Sequence, residues 1–127
     1  MTPKNKRTIV LVEDEEILSN MYKMKLIKSG YEVQTANDGK AGLDLIKKVQ
    51  PDVVLLDIIM PKLDGFAVLE ALHQEDITKD IPIILLTNLG QEEDIKRGKE
   101  LGAVGYYVKA NLTPGELVDK LNKFIKK

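Results

Sequence analysis

Pro51-Asp52-Val53-Val54-Leu55-Leu56-Asp57-Ile58-Ile59-Met60-Pro61 holds a β-strand and the loop that follows it. Val53 to Leu56 are apolar without alternation, the pattern of a strand covered on both faces in a parallel sheet. The run stops at a carboxylate, Asp57. An ionised side chain at the end of a buried strand is costly unless something pairs with it, so the neighbours of Asp57 become the question. Two further runs, Ile9-Val10-Leu11-Val12 and Ile83-Ile84-Leu85-Leu86, have the same character and predict two more central strands. Residues 31–36 alternate in polarity, and Gly105-Tyr106-Tyr107-Val108 is short and ends at Lys109. Both suit the margins of a sheet better than its middle.

Helical patterns fill the intervals. Residues 16–29 carry Ile17, Leu18, Met21, Met24 and Ile27 at helical spacing, with Gly30 as a C-terminal stop. Asp38-Gly39 opens a second helix with Ala41, Leu45, Ile46 and Val49 on one side, which must end before Pro51. Asp64-Gly65 starts a third, with Phe66, Leu69 and Leu72 inward. Residues 91–101 form a fourth, highly charged and weakened by Gly98, since glycine costs about 1 kcal/mol against alanine in a helix. Thr113-Pro114-Gly115-Glu116 is a capping box with proline at the first helical position, and Leu117, Leu121, Phe124 and Ile125 are the apolar face that follows.

The order is β-α repeated five times. Right-handed crossovers then give an α/β, doubly wound, five-stranded parallel sheet with five helices. Edge-like second and fifth strands favour the flavodoxin-like order 2-1-3-4-5, taken as a template for such sheets, whose ligands bind beyond the carboxyl ends of the strands.

The chain has 127 residues, the size of one domain, with residues 1–7 read as a short basic lead. Hydrophobic content of 43% and charged content of 31% are those of an ordinary globular protein. A net charge of -1 argues against direct binding of nucleic acid. The absence of cysteine excludes disulfides, thiolate metal sites and thiol catalysis. No stretch has the apolar length of a membrane span, and a cytoplasmic location is expected.

At the carboxyl edge the first strand ends in Glu13-Asp14, the third in Asp57, the fourth in Thr87 and the fifth in Lys109. In the expected order these strands are successive neighbours, so the side chains converge on one cleft. Three carboxylates repel one another unless a cation intervenes. All-oxygen ligands point to a hard ion, Mg²⁺ foremost, with Mn²⁺ as a second ion for the same ligands. Carboxylate, divalent metal, hydroxyl and ammonium are the parts needed to accept a phosphoryl group and neutralise its oxygens.

Over essentially its whole length the sequence resembles the receiver domain of two-component response regulators. The likeness is carried by Val12-Glu13-Asp14, Leu56 to Pro61 with Asp64-Gly65, Leu86-Thr87, Gly102-Ala103, and Tyr106-Tyr107-Val108-Lys109. The resemblance implies Asp57 as phosphoacceptor. Glu13 and Asp14 would hold Mg²⁺ with Asp57 and the backbone carbonyl of Ile59. Thr87 and Lys109 would bind phosphoryl oxygens, and Thr87 and Tyr106 would act as the switch. It further implies a sensor histidine kinase or histidine phosphotransfer protein as donor and a downstream protein or output domain as target. The surface of the fourth helix, fifth strand and fifth helix is the expected output face and a candidate dimer face.

Three positions depart from that pattern. Glu13 stands where an aspartate is frequent, Asn88 where a very small residue follows the threonine, and Ala110 where proline follows the lysine, often through a cis bond. A cis bond without proline costs about 2.5–4 kcal/mol, so the loop after Lys109 is a point for the structure to settle. Ile59 and Leu89 are apolar neighbours of the expected phosphoryl site. With Asn88 they are read as residues that tune its lifetime, and lacking groups to orient water they predict a long-lived phosphoryl-aspartate.

Plainer readings compete. Asp14 could cap the first helix, Asp57 could begin a turn, Lys109 could be a snorkelling surface lysine, and Tyr106 and Tyr107 could be edge-strand packing. His73 reads as a solvated side chain, and the charged fourth helix as a solvated face. Among functions, a haloacid-dehalogenase-type phosphatase needs a second aspartate where Ile59 stands. A nucleotide or flavin site lacks its phosphate loop after the first strand. A receiver-like binding module that is never phosphorylated leaves the acids, Thr87 and Lys109 without a purpose.

Overall fold

A computed structural model describes residues 6–125; most of the basic lead expected at residues 1–7 lies outside them. The elements run β1 (Thr8–Val12), α1 (Glu16–Lys28), β2 (Glu32–Ala36), α2 (Gly39–Val49), β3 (Val53–Leu56), α3 (Gly65–His73), β4 (Ile83–Thr87), α4 (Glu92–Glu100), β5 (Gly105–Val108) and α5 (Pro114–Phe124). All four strand pairs are parallel, in the order β2-β1-β3-β4-β5. That is the flavodoxin-like sheet expected from the three unalternated runs.

Why those runs lack alternation is visible in where they point. Ile9, Leu11, Val53, Leu55, Ile84 and Leu86 face a core completed by Tyr22 and Leu26 of α1 and Leu117 and Leu121 of α5. Val10, Val12, Val54, Leu56, Ile83 and Leu85 face a second core with Ile46 of α2 and Phe66, Val68, Leu69 and Leu72 of α3. Alternate residues of one strand thus enter opposite cores, and neither set can be polar.

Helix starts follow the chemistry of their caps. Asp38 accepts the Ala41 N–H at 2.7 Å, Asp64 accepts that of Ala67 at 2.9 Å, and Thr113 and Glu116 form the reciprocal capping box. The N-cap of α1 is Glu15, without a side-chain cap bond, so Asp14 does not serve there.

Helix α1 overturns one expectation. Four of the five residues of its apolar stripe are turned outward, with Ile17 81% and Met24 69% exposed and Met21 and Ile27 also exposed, while Leu18 packs against the first core. The buried residues are Ser19, Tyr22 and Leu26. Spaced three and four apart, they form the opposite face of the same helix. Both faces carry apolar residues, and packing selects the one whose aromatic ring reaches the core. Two smaller corrections concern α2, where Gly42 and Ile46 are buried but Ala41 is exposed, and α5, where Phe124 remains exposed beside buried Leu117, Val118 and Leu121.

Gly98 is also more than a weak point in α4. A Cβ there would lie 2.6 Å from Leu85 Cδ1 and 3.1 Å from the ring of Tyr106. Glycine lets the helix lie directly on β4 and β5.

Candidate functional site

Asp57 follows the last residue of β3 and is 5% exposed. One carboxylate oxygen, Oδ1, accepts the Ile58 N–H at 2.7 Å, and the other, Oδ2, accepts from Lys109 Nζ at 2.8 Å. Lys109, one step past β5, reaches Glu13 as well, with Nζ 2.5 Å from Oε1. Glu13 is itself buried, and its Oε2 accepts the Glu15 N–H at 3.1 Å. Asp14 is exposed and completes a group in which one carboxylate oxygen from each of Glu13, Asp14 and Asp57 lies within 4.8 Å of the others. The strand ends therefore deliver the four charged residues to one place. A crevice of about 600 Å³ between α1 and α2 opens beside Glu13 and Asp14.

The electrostatics match this crowding. Burial pushes the Glu13 carboxyl above its usual range and the nearby Asp57 charge adds to it, while hydrogen bonds from Lys109 and Glu15 hold it back. Burial works against the Lys109 ammonium, but its hydrogen bonds to Asp57 and Glu13, with their charges, outweigh it and raise its pKa. Lys109 is therefore no snorkelling surface lysine. The donor set fits a hard divalent cation: oxygen ligands only, two of them buried, and more negative charge than one lysine offsets.

Thr87 ends β4, fully buried, and its hydroxyl accepts the Leu89 N–H at 3.4 Å. Tyr106 of β5 donates its phenol O–H to the Leu89 carbonyl at 2.5 Å, and burial, with the charges of Asp94 and Asp57, pushes its pKa up to about 12. Leu89 is half-buried on the second core, whereas the Ile59 side chain is 62% exposed at the rim. Asn88 accepts the Ala110 N–H at 3.1 Å, and no peptide bond among the described residues is cis, so Lys109 and Ala110 are joined in trans. His73 is exposed on α3 and lies against Gly102, away from the acids.

Three features escaped sequence reading. The Glu13–Lys109 pair was one, because the extra methylene of glutamate signals reach but not direction. The approach of Gly65 to the Asp57 carbonyl was another: a Cβ would lie 2.2 Å from that oxygen. Asp64-Gly65 signalled a helix start, not that the helix begins against the site. The partner of Asn88 was the third: its amide could add a hydrogen bond, but nothing in the sequence pointed to the Ala110 N–H.

Residues 9–122 match the family model of the response regulator receiver domain. The sequence is 41% identical over 123 residues to ycf27 of Cyanophora paradoxa, covering 97% of this chain and 50% of that protein. It is 40% identical over 101 residues to the DNA-binding dual master transcriptional regulator RpaA of Synechocystis, covering 80% of this chain and 42% of that one. The chain spans about half the length of the curated relatives it matches. Its fold superposes on the chemotaxis protein CheY4 of Vibrio cholerae with a TM-score of 0.87 and 32% identity, over 94% of this chain and 99% of that one. This chain belongs to the response regulator receiver family, a class of signalling domain in two-component systems.

Among the described residues no helix is long and apolar enough to cross a membrane.

Proposed function

We propose that this receiver accepts a phosphoryl group on Asp57 and that the modified carboxylate changes the α4–β5–α5 surface. The observation that carries the reading is Lys109 bound to both Asp57 and Glu13, with Asp14 beside them. A carboxylate oxygen of Asp57 attacks phosphorus as the bond from phosphorus to the donor's histidine nitrogen breaks. Lys109 and the Thr87 hydroxyl neutralise the oxygens of the arriving group. Glu13, Asp14, Asp57 and the Ile59 carbonyl would hold Mg²⁺, or Mn²⁺, which supplies charge neutralisation at those oxygens.

The donor would be a sensor histidine kinase or histidine phosphotransfer protein. The outward stripe of α1 supports a protein donor, because Ile17, Met21, Met24 and Ile27 form an exposed apolar face on the helix that follows Glu13 and Asp14. On the output side, Thr87 moving toward the phosphoryl group carries Leu89 and the Tyr106 hydroxyl with it. A downstream protein, an output domain or a second copy of the chain would read that change. The apolar Leu89 and the rim residue Ile59 offer attacking water no partner, which supports a long-lived phosphoryl-aspartate.

Incubation with acetyl phosphate and Mg²⁺ is expected to add the mass of one phosphoryl group, and Asp57→Ala is expected to add none. An unchanged mass for the native chain overturns the reading in favour of a binding module that is never phosphorylated. Decay within seconds would overturn the long lifetime alone.

A further inference from the structure

We infer that Asn88 is a positioning residue for Lys109, holding the peptide that carries the lysine by clasping the N–H of Ala110. The β4–β5 ladder ends at the pair Thr87 and Val108. Beyond it both chains leave the sheet: β4 into Asn88 and Leu89, β5 into a short 3₁₀ turn over Lys109–Asn111. A turn of this length is a weak element, and the N–H groups at its start have no partner inside it. Its closing bond runs from the Leu112 N–H to the Lys109 carbonyl at 3.2 Å and does nothing for Ala110. The Ala110 N–H instead donates to Asn88 Oδ1 at 3.1 Å, across 22 residues of sequence.

The bond therefore extends the register of β4 and β5 past their last ladder pair, with a side chain in place of backbone. It has a specific consequence. Asn88 follows Thr87 and Ala110 follows Lys109, so the clasp joins the residues next to the two groups proposed to bind phosphoryl oxygens. Lys109 Nζ lies at the end of a flexible stem, and its place between Asp57 and Glu13 depends on where the main chain starts that stem. The second tie between these segments, from Tyr106 Oη to the Leu89 carbonyl, starts within β5 and does not engage the Ala110 N–H. Asn88 and Ala110 are also two of the three positions that depart from the receiver pattern. Here they act as a pair: an alanine offers an N–H that proline lacks, and an asparagine is long enough to accept it.

The inference rests on the phosphoacceptor reading for its kinetic consequence but not for its structural one, so both are measured on the full chain. In ¹⁵N-labelled protein, Asn88→Ala is expected to speed solvent exchange of the Ala110 amide. Phosphorylation by acetyl phosphate at saturating Mg²⁺ is expected to slow about two- to fivefold, the range for losing one exposed hydrogen bond. Ala110→Pro, which deletes the donor, should also slow it. Ala110→Ser, which keeps the donor, should match the native rate. The Asn88→Ala/Ala110→Pro double variant should be no slower than Ala110→Pro alone, because both changes remove the same bond. Unaltered Ala110 exchange in Asn88→Ala overturns the inference, as do rate losses that multiply in the double variant. No phosphorylation of the native chain would overturn the phosphoacceptor reading instead, and the exchange measurement would still decide the clasp.

Discussion

Lys109 meets two buried carboxylates with one positive charge, and its side chain is only 8% exposed. Removing a partner from a buried ion pair leaves a charge that is neither solvated nor matched, which costs more than the pair itself contributes. Lys109→Met is therefore expected to lower the stability of metal-free protein by about 3 kcal/mol, read from urea denaturation. Added Mg²⁺ should restore a larger share of stability to this variant than it adds to the native chain, since a cation would replace the missing charge. A second consequence appears at alkaline pH. Tyr106 has a folded-state pKa of about 12 against an ordinary 10.0, so between those values the unfolded chain has lost a proton that the folded chain keeps. Stability must then fall as pH rises through that window. Lys109, raised above 10.5, acts in the same direction. Tyr106→Phe should flatten the alkaline decline in urea midpoint without abolishing it, because Lys109 still contributes.

At the scale of elements, α1 and α4 separate what a pattern reveals from what packing decides. The central strand positions were legible because a parallel strand covered on both faces has no room for polar residues, and that rule also located Glu13, Asp57 and Thr87 at its ends, whereas Lys109 was placed by the short edge strand β5. The inward face of α1 was not legible, because both sides carry apolar residues at helical spacing and only the packed sheet chooses between them. Truncation distinguishes the faces: Leu26→Ala is expected to cost about 2–5 kcal/mol, whereas Met24→Ala should stay within about 0.5 kcal/mol. Helix α4 makes the complementary point. Propensity alone predicts that Gly98→Ala stabilises by about 1 kcal/mol. The methyl group would instead meet Leu85 and the Tyr106 ring. We expect a net loss of about 1–3 kcal/mol, and thermal or urea unfolding gives the sign directly. The Asn88–Ala110 bond was illegible for a related reason: it joins two loops, and no periodicity in either announces where the other will lie.

For the molecule as a whole, the sheet serves both as core and as the frame that holds like charges together. Two cores on opposite faces fix β1, β3 and β4, and the carboxylates ride on the ends of β1 and β3. Folding thus brings Asp57 up to Glu13 and Asp14, from which the unfolded chain keeps it apart, and Lys109 offsets only part of the repulsion among the three. A cation that binds the folded cluster and not the unfolded chain must stabilise the entire domain, by RT ln(1 + [Mg²⁺]/Kd). At a hundredfold excess over Kd that is about 2.7 kcal/mol. Urea midpoints should rise with the logarithm of Mg²⁺ concentration once binding is half complete, at an unchanged dependence of unfolding free energy on urea. Asp14→Asn is the discriminating variant, because Asp14 is exposed and has no cap role in α1. It should raise the metal-free midpoint slightly, because one of the repelling charges is gone, and remove most of the Mg²⁺-dependent rise. A rise of equal size in Asp14→Asn would show that the ion acts elsewhere on the surface, and the acids at the strand ends would lose their assignment as its ligands.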